Sequence, residues 1–127
     1  PIVLGRVVEK PETIATAIRI GNPARWREAV QALDDSDGHI TAVSDDEILR
    51  HYKLVAKTEG IFCEPSTATG LAAMSKAMRD GAVDLHGKTV VCVLTGHGLK
   101  DPDTAIKGLP TPAMIPPTID DLLRVIG

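Results

Sequence analysis

Apolar positions recur at helical spacing in four places along this chain. Trp26, Ala29, Val30 and Leu33 fall at i, i+3, i+4 and i+7, which predicts an amphipathic helix. Asn22 is placed to cap it, Pro23 suits its first position, and Asp34 to Gly38 ends it. A second helix opens on Ser44-Asp45-Asp46-Glu47, which has the form of a capping box. It carries Ile48, Leu49, Tyr52, Val55 and Ala56 on one face, runs to about Thr58, and meets a stop at Gly60. The third begins at Pro65, aligns Ala68, Leu71, Ala72, Ser75 and Met78, and ends at Gly81. The last spans Ile119 to Val125, with Thr118 as its cap and Asp120 and Asp121 in the first turn, where they suit the helix dipole.

Strand signals are fewer. Ile2 to Val8 could be a short strand interrupted by Gly5, and Ile40 to Val43 another. Ile14-Ala15-Thr16-Ala17-Ile18 has no decisive period. Thr89 to Leu94 is a continuous apolar run between turn signals, the pattern of a parallel strand buried on both faces. Such a strand needs parallel neighbours joined by crossovers, and two or three strands hardly supply them. The expected class is therefore α/β, with helices packed on a mostly parallel sheet completed by sequence outside this chain. A mostly helical domain with a small sheet is the alternative. A tail marked by Pro110, Pro112, Pro116 and Pro117 precedes the last helix.

Composition narrows this picture. The 127 residues fit one domain, and one Trp, one Tyr and one Phe leave the core to aliphatic side chains. A net charge of −3 with scattered Lys and Arg argues against nucleic-acid binding. No apolar run is long enough for a membrane span. Cys63 and Cys92 form no CxxC pair, and Cys92, inside Val90 to Leu94, is expected as a buried hydrophobe. These features fit a reducing cytoplasm. The chain opens at Pro1 without Met, as it would with upstream sequence or a trimmed terminus.

The best candidate for chemistry is Thr95-Gly96-His97-Gly98-Leu99-Lys100-Asp101-Pro102-Asp103, directly after the apolar run. Ligands of open α/β sheets favour the carboxyl ends of strands. Thr95 would place a hydroxyl there, and Gly96 would allow close backbone approach. A GxGxxG phosphate loop is not met, because Asp101 holds the third glycine position, and Pro102 is expected to disfavour a helix start. A Gly-rich turn with no ligand is the competing reading. Glu64, before Pro65, reads either as a carboxylate compensating the helix dipole or as a polar group beneath a cofactor. His39, His51, His86 and His97 have no metal-ligand spacing. The capping box already explains Ser44 despite the nearby His51. Lys53, Lys57 and Lys76 are expected on helix surfaces.

Three stretches taken together carry a resemblance. They are Thr13-Ile14-Ala15-Thr16-Ala17-Ile18-Arg19-Ile20-Gly21-Asn22-Pro23, Glu59-Gly60-Ile61-Phe62-Cys63-Glu64-Pro65, and Val90 through Leu94 with the loop to Asp103. In this order and spacing the chain resembles the C-terminal third of the threonine synthases, which are fold-type II pyridoxal-phosphate enzymes. The likeness runs from Pro1 to about Lys107. It implies that residues 1–127 form the C-terminal part of a large cofactor-binding domain, with 108–127 a Pro-rich tail and terminal helix. It implies conversion of O-phospho-L-homoserine and water to L-threonine and phosphate, with pyridoxal 5'-phosphate as electron sink.

The resemblance further implies that Thr95 meets the pyridine nitrogen with a neutral hydroxyl. That leaves the nitrogen largely unprotonated and the ring a milder sink. Gly96 would allow close approach, and Glu64 and the Thr16-Ala17 backbone would lie near the ring. The family's Schiff-base lysine, substrate loop and phosphate loop match no segment here, so no catalytic residue is assigned. The implied partners are the N-terminal portion of the same enzyme, a small phosphorylated amino acid and a second copy in a homodimer. Related dehydratases and a cysteate-type synthase are rivals within the cofactor class. A non-catalytic interaction module is the rival outside it.

Overall fold

The computed structural model describes residues 1–108 and 112–126. Among the described residues five α-helices follow one another: α1 (Trp26–Asp35), α2 (Asp45–Glu59), α3 (Pro65–Arg79), α4 (Pro102–Gly108) and α5 (Ile119–Ile126). Two 3₁₀ turns, Thr16–Ile18 and Gly98–Lys100, complete the set.

The pairing of α2 with α3 is the centre of the structure. The Ser44 box forms as expected. Ser44 Oγ accepts from the Glu47 amide at 3.2 Å, and the Glu47 carboxylate accepts from the Ser44 amide at 2.9 Å. Gly60 ends α2 in the left-handed region at φ 67°, where a side chain would be strained. Pro65 occupies the first turn of α3, where its missing N–H leaves no gap in the helical bonding. Ile48, Tyr52 and Val55 of α2 are buried with Ala68 and Ala72 of α3, Cys63 from the connection, and Ala15. The small residues of α3 let the two helices approach closely. Replacing Ser44 with Ala should cost about 1 kcal/mol of stability by orphaning an amide at the start of α2. Denaturant unfolding checks this, and an unchanged midpoint would contradict it.

A second anchor ties the N-terminal segment to this pair. Asp45, in the first turn of α2, accepts from the Thr13 hydroxyl at 2.6 Å and from the Ile14 amide at 3.1 Å. Ala15 is thereby held in the core, and the Thr16–Ile18 turn lies against α3.

Several expectations are corrected. There is no β-strand among the described residues, so the predicted sheet is not formed within them. Ile2 to Val8 is a turn and bend around Gly5, and Ile40 to Val43 is irregular. Thr89 to Leu94 pairs with no strand among the described residues and is exposed rather than buried on both faces, with Val91 at 84% and Val93 at 76%. An apolar strand gains burial only from neighbours, and none flanks it here. Cys92 is accordingly exposed.

Helix α1 starts at Trp26 rather than at Pro23. Asn22 does not cap it, and none of its apolar stripe is fully buried. Pro102 opens α4 instead of preventing a helix. The last helix forms nearly as expected: Thr118 Oγ1 accepts from the Asp121 amide at 3.2 Å. Pro110 of the predicted tail lies outside the described residues.

Candidate functional site

The Thr95 loop is held by backbone pairing with the segment that leads into α3. The Glu64 amide donates to the Gly96 carbonyl at 3.0 Å, and the Gly98 amide donates to the Phe62 carbonyl at 3.0 Å. These two bonds flank an antiparallel bridge between Cys63 and His97. They bring together the three residues singled out from the sequence. Gly96 and Glu64 are buried, and Thr95 is exposed beside them. The rims of the loop are shaped by aromatic contact, with the rings of Phe62 and His97 edge to face at 5.5 Å.

Both glycines of the loop are required by close approach. A Cβ on Gly96 would lie 1.8 Å from Glu64 Oε1, and one on Gly98 would lie 2.3 Å from the Phe62 ring. Gly96 thus lets the Glu64 side chain pack flat against the loop backbone.

Thr67, in the first turn of α3, is a residue that the sequence reading passed over. Its Oγ1 accepts from the Gly96 amide at 2.9 Å and lies 3.1 Å from Thr95 Oγ1. The Thr67 amide in turn donates to the Glu64 carbonyl at 3.0 Å. The available signal was a threonine three residues beyond Glu64, at a helix start where side chains meet free amides.

Asp101, named in the candidate stretch but given no role there, is the second. Its carboxylate accepts from Thr16 Oγ1 at 2.8 Å and from Thr104 Oγ1 at 3.2 Å. It therefore links the Thr16–Ile18 turn to the Thr95 loop and to α4. Burial pushes the Asp101 carboxyl up, but donation from Thr16 and Thr104 outweighs this and holds it below the ordinary aspartate value. The Thr16-Ala17 segment is in this way joined to the same loop as Thr95.

Other nucleophiles and ligands are accounted for. Burial, with the nearby Glu64 charge, pushes the Cys63 thiol up, so it is not an activated thiolate. Ser44 is engaged in its cap, and His51 Nδ1 lies 2.8 Å from the Glu47 carbonyl oxygen. No group of metal-ligating side chains occurs among the described residues. No helix among them is long and apolar enough to cross a membrane.

The exposed end of this loop presents a hydroxyl that could partner a ring-nitrogen acceptor of a ligand. Thr95 carries an uncharged hydroxyl at the exposed edge of the loop, 3.1 Å from Thr67 Oγ1.

Residues 3–96 match the family described as "Pyridoxal-phosphate dependent enzyme". The chain is 55% identical over 116 residues to a threonine synthase of Mycobacterium tuberculosis (strain ATCC 25618 / H37Rv), covering 91% of this chain and 32% of that protein. It is 59% identical over 105 residues to a threonine synthase of Bacillus sp. (strain ULM1), covering 83% of this chain and 30% of that protein. The identity to a threonine synthase of Methanocaldococcus jannaschii is 45% over 118 residues, covering 93% and 29%. The chain thus spans about a third of the length of the curated relatives it matches. With the family's match running from Val3 to Gly96, about three-quarters of the chain, this chain belongs to the pyridoxal-phosphate dependent enzymes.

Proposed function

We propose that this chain is the C-terminal third of a threonine synthase, which converts O-phospho-L-homoserine and water to L-threonine and phosphate. The observation that carries the reading is the exposed Thr95 hydroxyl, fixed beside buried Gly96 and Glu64 at the end of the apolar Thr89–Leu94 run. The similarity to threonine synthases over nine-tenths of the chain favours this substrate over those of the related dehydratases and cysteate-type synthase.

Pyridoxal phosphate, when bound, supplies the electron sink for elimination and replacement at the substrate's side-chain carbons. Thr95 would meet its ring nitrogen with a neutral hydroxyl. A carboxylate at this position would hold a proton on that nitrogen; a hydroxyl does not. Gly96 keeps the loop backbone low, so that Thr95 can approach the ring edge. Glu64, packed on Gly96, would be a polar group beneath the cofactor. The attaching lysine and the phosphate-binding groups come from the remainder of a longer chain.

That remainder also supplies the sheet. Residues 1–127 are the C-terminal part of the large cofactor-binding domain, with 108–127 its tail and last helix. Thr89–Leu94 becomes a parallel strand there, covered on both faces. Support comes from its apolar sequence and from the cavity of about 440 Å³ beside it, lined by Leu54, Ile61, Leu71, Met74, Cys92 and Leu94. A cytoplasmic homodimer is the assembly that the resemblance brings with it.

Replacing Thr95 with Val in the full-length enzyme tests the reading. Loss of one hydrogen bond of about 1 to 1.5 kcal/mol should weaken cofactor affinity by roughly tenfold and slow turnover. Unchanged affinity and turnover would sink the assignment.

A further inference from the structure

We infer that Asp101 is a positioning residue: its carboxylate, by accepting from Thr16, sets the spacing between the Thr16–Ile18 turn and the loop that carries Thr95 and Gly96. The inference rests on the reading that these two segments border one bound cofactor. It comes from tracing how each segment is held.

The loop is bonded as one unit from Gly96 to Asp101. The Gly96 carbonyl accepts from the Glu64 amide and the Gly98 amide donates to the Phe62 carbonyl, each at 3.0 Å. The Lys100 amide then donates to the His97 carbonyl and the Asp101 amide to the Gly98 carbonyl, again each at 3.0 Å. These bonds pass the placement of Gly96 and Gly98 on to Asp101. Asp101 itself is only 7% exposed, so its carboxylate faces protein rather than solvent.

The turn is held from two sides. Asp45, on α2, accepts from the Thr13 hydroxyl at 2.6 Å and from the Ile14 amide at 3.1 Å. Three residues later Asp101 accepts from the Thr16 hydroxyl at 2.8 Å, with fully buried Ala15 between the two anchors. The first anchor ties the segment to the α2–α3 pair, and the second ties it to the site. Among the described residues, Thr16 and Asp101 are the only hydrogen-bonded pair joining residues 13–21 to residues 95–107.

Burial raises the Asp101 carboxyl, but donation from Thr16 and Thr104 outweighs it and keeps the group below the ordinary aspartate value. At neutral pH both oxygens are therefore acceptors. One takes Thr16, and the other takes Thr104 Oγ1 at 3.2 Å, in the first turn of α4. Hydrogen bonds to a charged group are among the stronger and more directional ones. The two arms do different work. The Thr104 arm secures the start of a helix, and the Thr16 arm alone crosses to the turn. A purely structural Asp101 would need only the first.

Cofactor affinity and denaturant unfolding of the full-length enzyme separate the two arms. Thr16→Val should weaken pyridoxal phosphate affinity about five- to tenfold, and Asp101→Ala at least as much. Asp101→Asn, whose amide can still pair with both hydroxyls, should stay within about threefold of the wild type. Thr104→Val should lower the denaturant midpoint yet leave affinity within about twofold. Thr16→Val should add little once Asp101 is already Ala.

Equal losses of affinity in Thr104→Val and Thr16→Val would make Asp101 a general structural residue and overturn the inference. So would additive effects of Thr16→Val and Asp101→Ala, or unchanged affinity in Thr16→Val. Should Asp101→Ala not fold, Thr16→Val still decides the matter, because it keeps the carboxylate and its bond to α4. If Thr95→Val leaves affinity unchanged while Thr16→Val weakens it, the assignment of Thr95 fails and the role of Asp101 stands.

Discussion

The purified 127-residue chain is expected to release no phosphate from O-phospho-L-homoserine and to retain no stoichiometric, covalently attached pyridoxal phosphate. A lysine becomes a Schiff-base nucleophile when its ammonium is desolvated or crowded by charge, so that it loses its proton near neutral pH. None of the lysines here is so placed. Lys10, Lys53, Lys57, Lys88, Lys100 and Lys107 are exposed. Lys76 is half-buried but donates to the Ala42 carbonyl at 2.7 Å, on the α3 surface. The apolar surface adds a second reason. Val91, Val93 and Leu99 are 84%, 76% and 72% exposed, next to or within the very loop that would meet the cofactor. A loop carried on an uncovered apolar segment is not preorganised to hold a ligand. The check is borohydride reduction after gel filtration, followed by intact mass and a phosphate-release assay. One reduced cofactor per chain, or measurable phosphate release, would defeat the division of labour proposed here. The full-length polypeptide should show both.

The same contrast between local and distant causes separates what the sequence reveals from what it hides. Helices α2 and α3 are legible because their signals are written within one turn: the Ser44–Glu47 box, the left-handed Gly60, and Pro65 at a helix start. Pro102 shows how one residue supports two readings. Proline does disfavour helix at the residue before it, and Asp101 is indeed non-helical, at φ −138° and ψ 65°. Yet proline suits the first turn of a helix, and α4 begins on it. Asn22-Pro23 misleads in the opposite sense, because a turn intervenes before α1 at Trp26.

Thr89–Leu94 has the composition of a buried strand, but burial is a property of its neighbours, which composition does not contain. At the site, Thr95, Gly96 and Glu64 lie in recognisable stretches, and the Cys63–His97 bridge brings them together. Thr67 does not announce itself, and Asp101, though in the same stretch as Thr95, gives no sign of its partner. Their partners are 28 and 85 residues away, for the Thr67–Thr95 and Thr16–Asp101 contacts respectively. Only the fold brings those atoms within reach.

Gly96 is where packing and chemistry meet most closely, and Gly96→Ala is expected to damage both. The new methyl carbon would lie 1.8 Å from Oε1, 2.2 Å from Cδ and 2.8 Å from Cγ of Glu64. Two responses are open. The Glu64 carboxylate can swing away, abandoning a place where the residue is only 5% exposed. Otherwise the loop lifts, stretching the Glu64 amide to Gly96 carbonyl bond and the Gly96 amide to Thr67 bond, now 3.0 and 2.9 Å. Overpacking of this kind costs about 1 to 3 kcal/mol, and either response moves Thr95 relative to α3. Displacements of about 1 Å at a positioned group are enough to cost orders of magnitude in rate.

The full-length Gly96→Ala enzyme should therefore lose at least tenfold in cofactor affinity and also unfold at lower denaturant concentration. The clash has a named partner, which gives an internal control. Shortening Glu64 to Ala removes all three offending atoms, so Gly96→Ala combined with Glu64→Ala should recover much of the lost stability. Cofactor affinity should recover less, because the double variant still lacks the carboxylate proposed to lie beneath the ring. A Gly96→Ala enzyme with wild-type stability and affinity would show that the loop tolerates a side chain there. The close approach of Thr95 would then need another cause. A double variant no more stable than Gly96→Ala alone would locate the strain elsewhere than at Glu64.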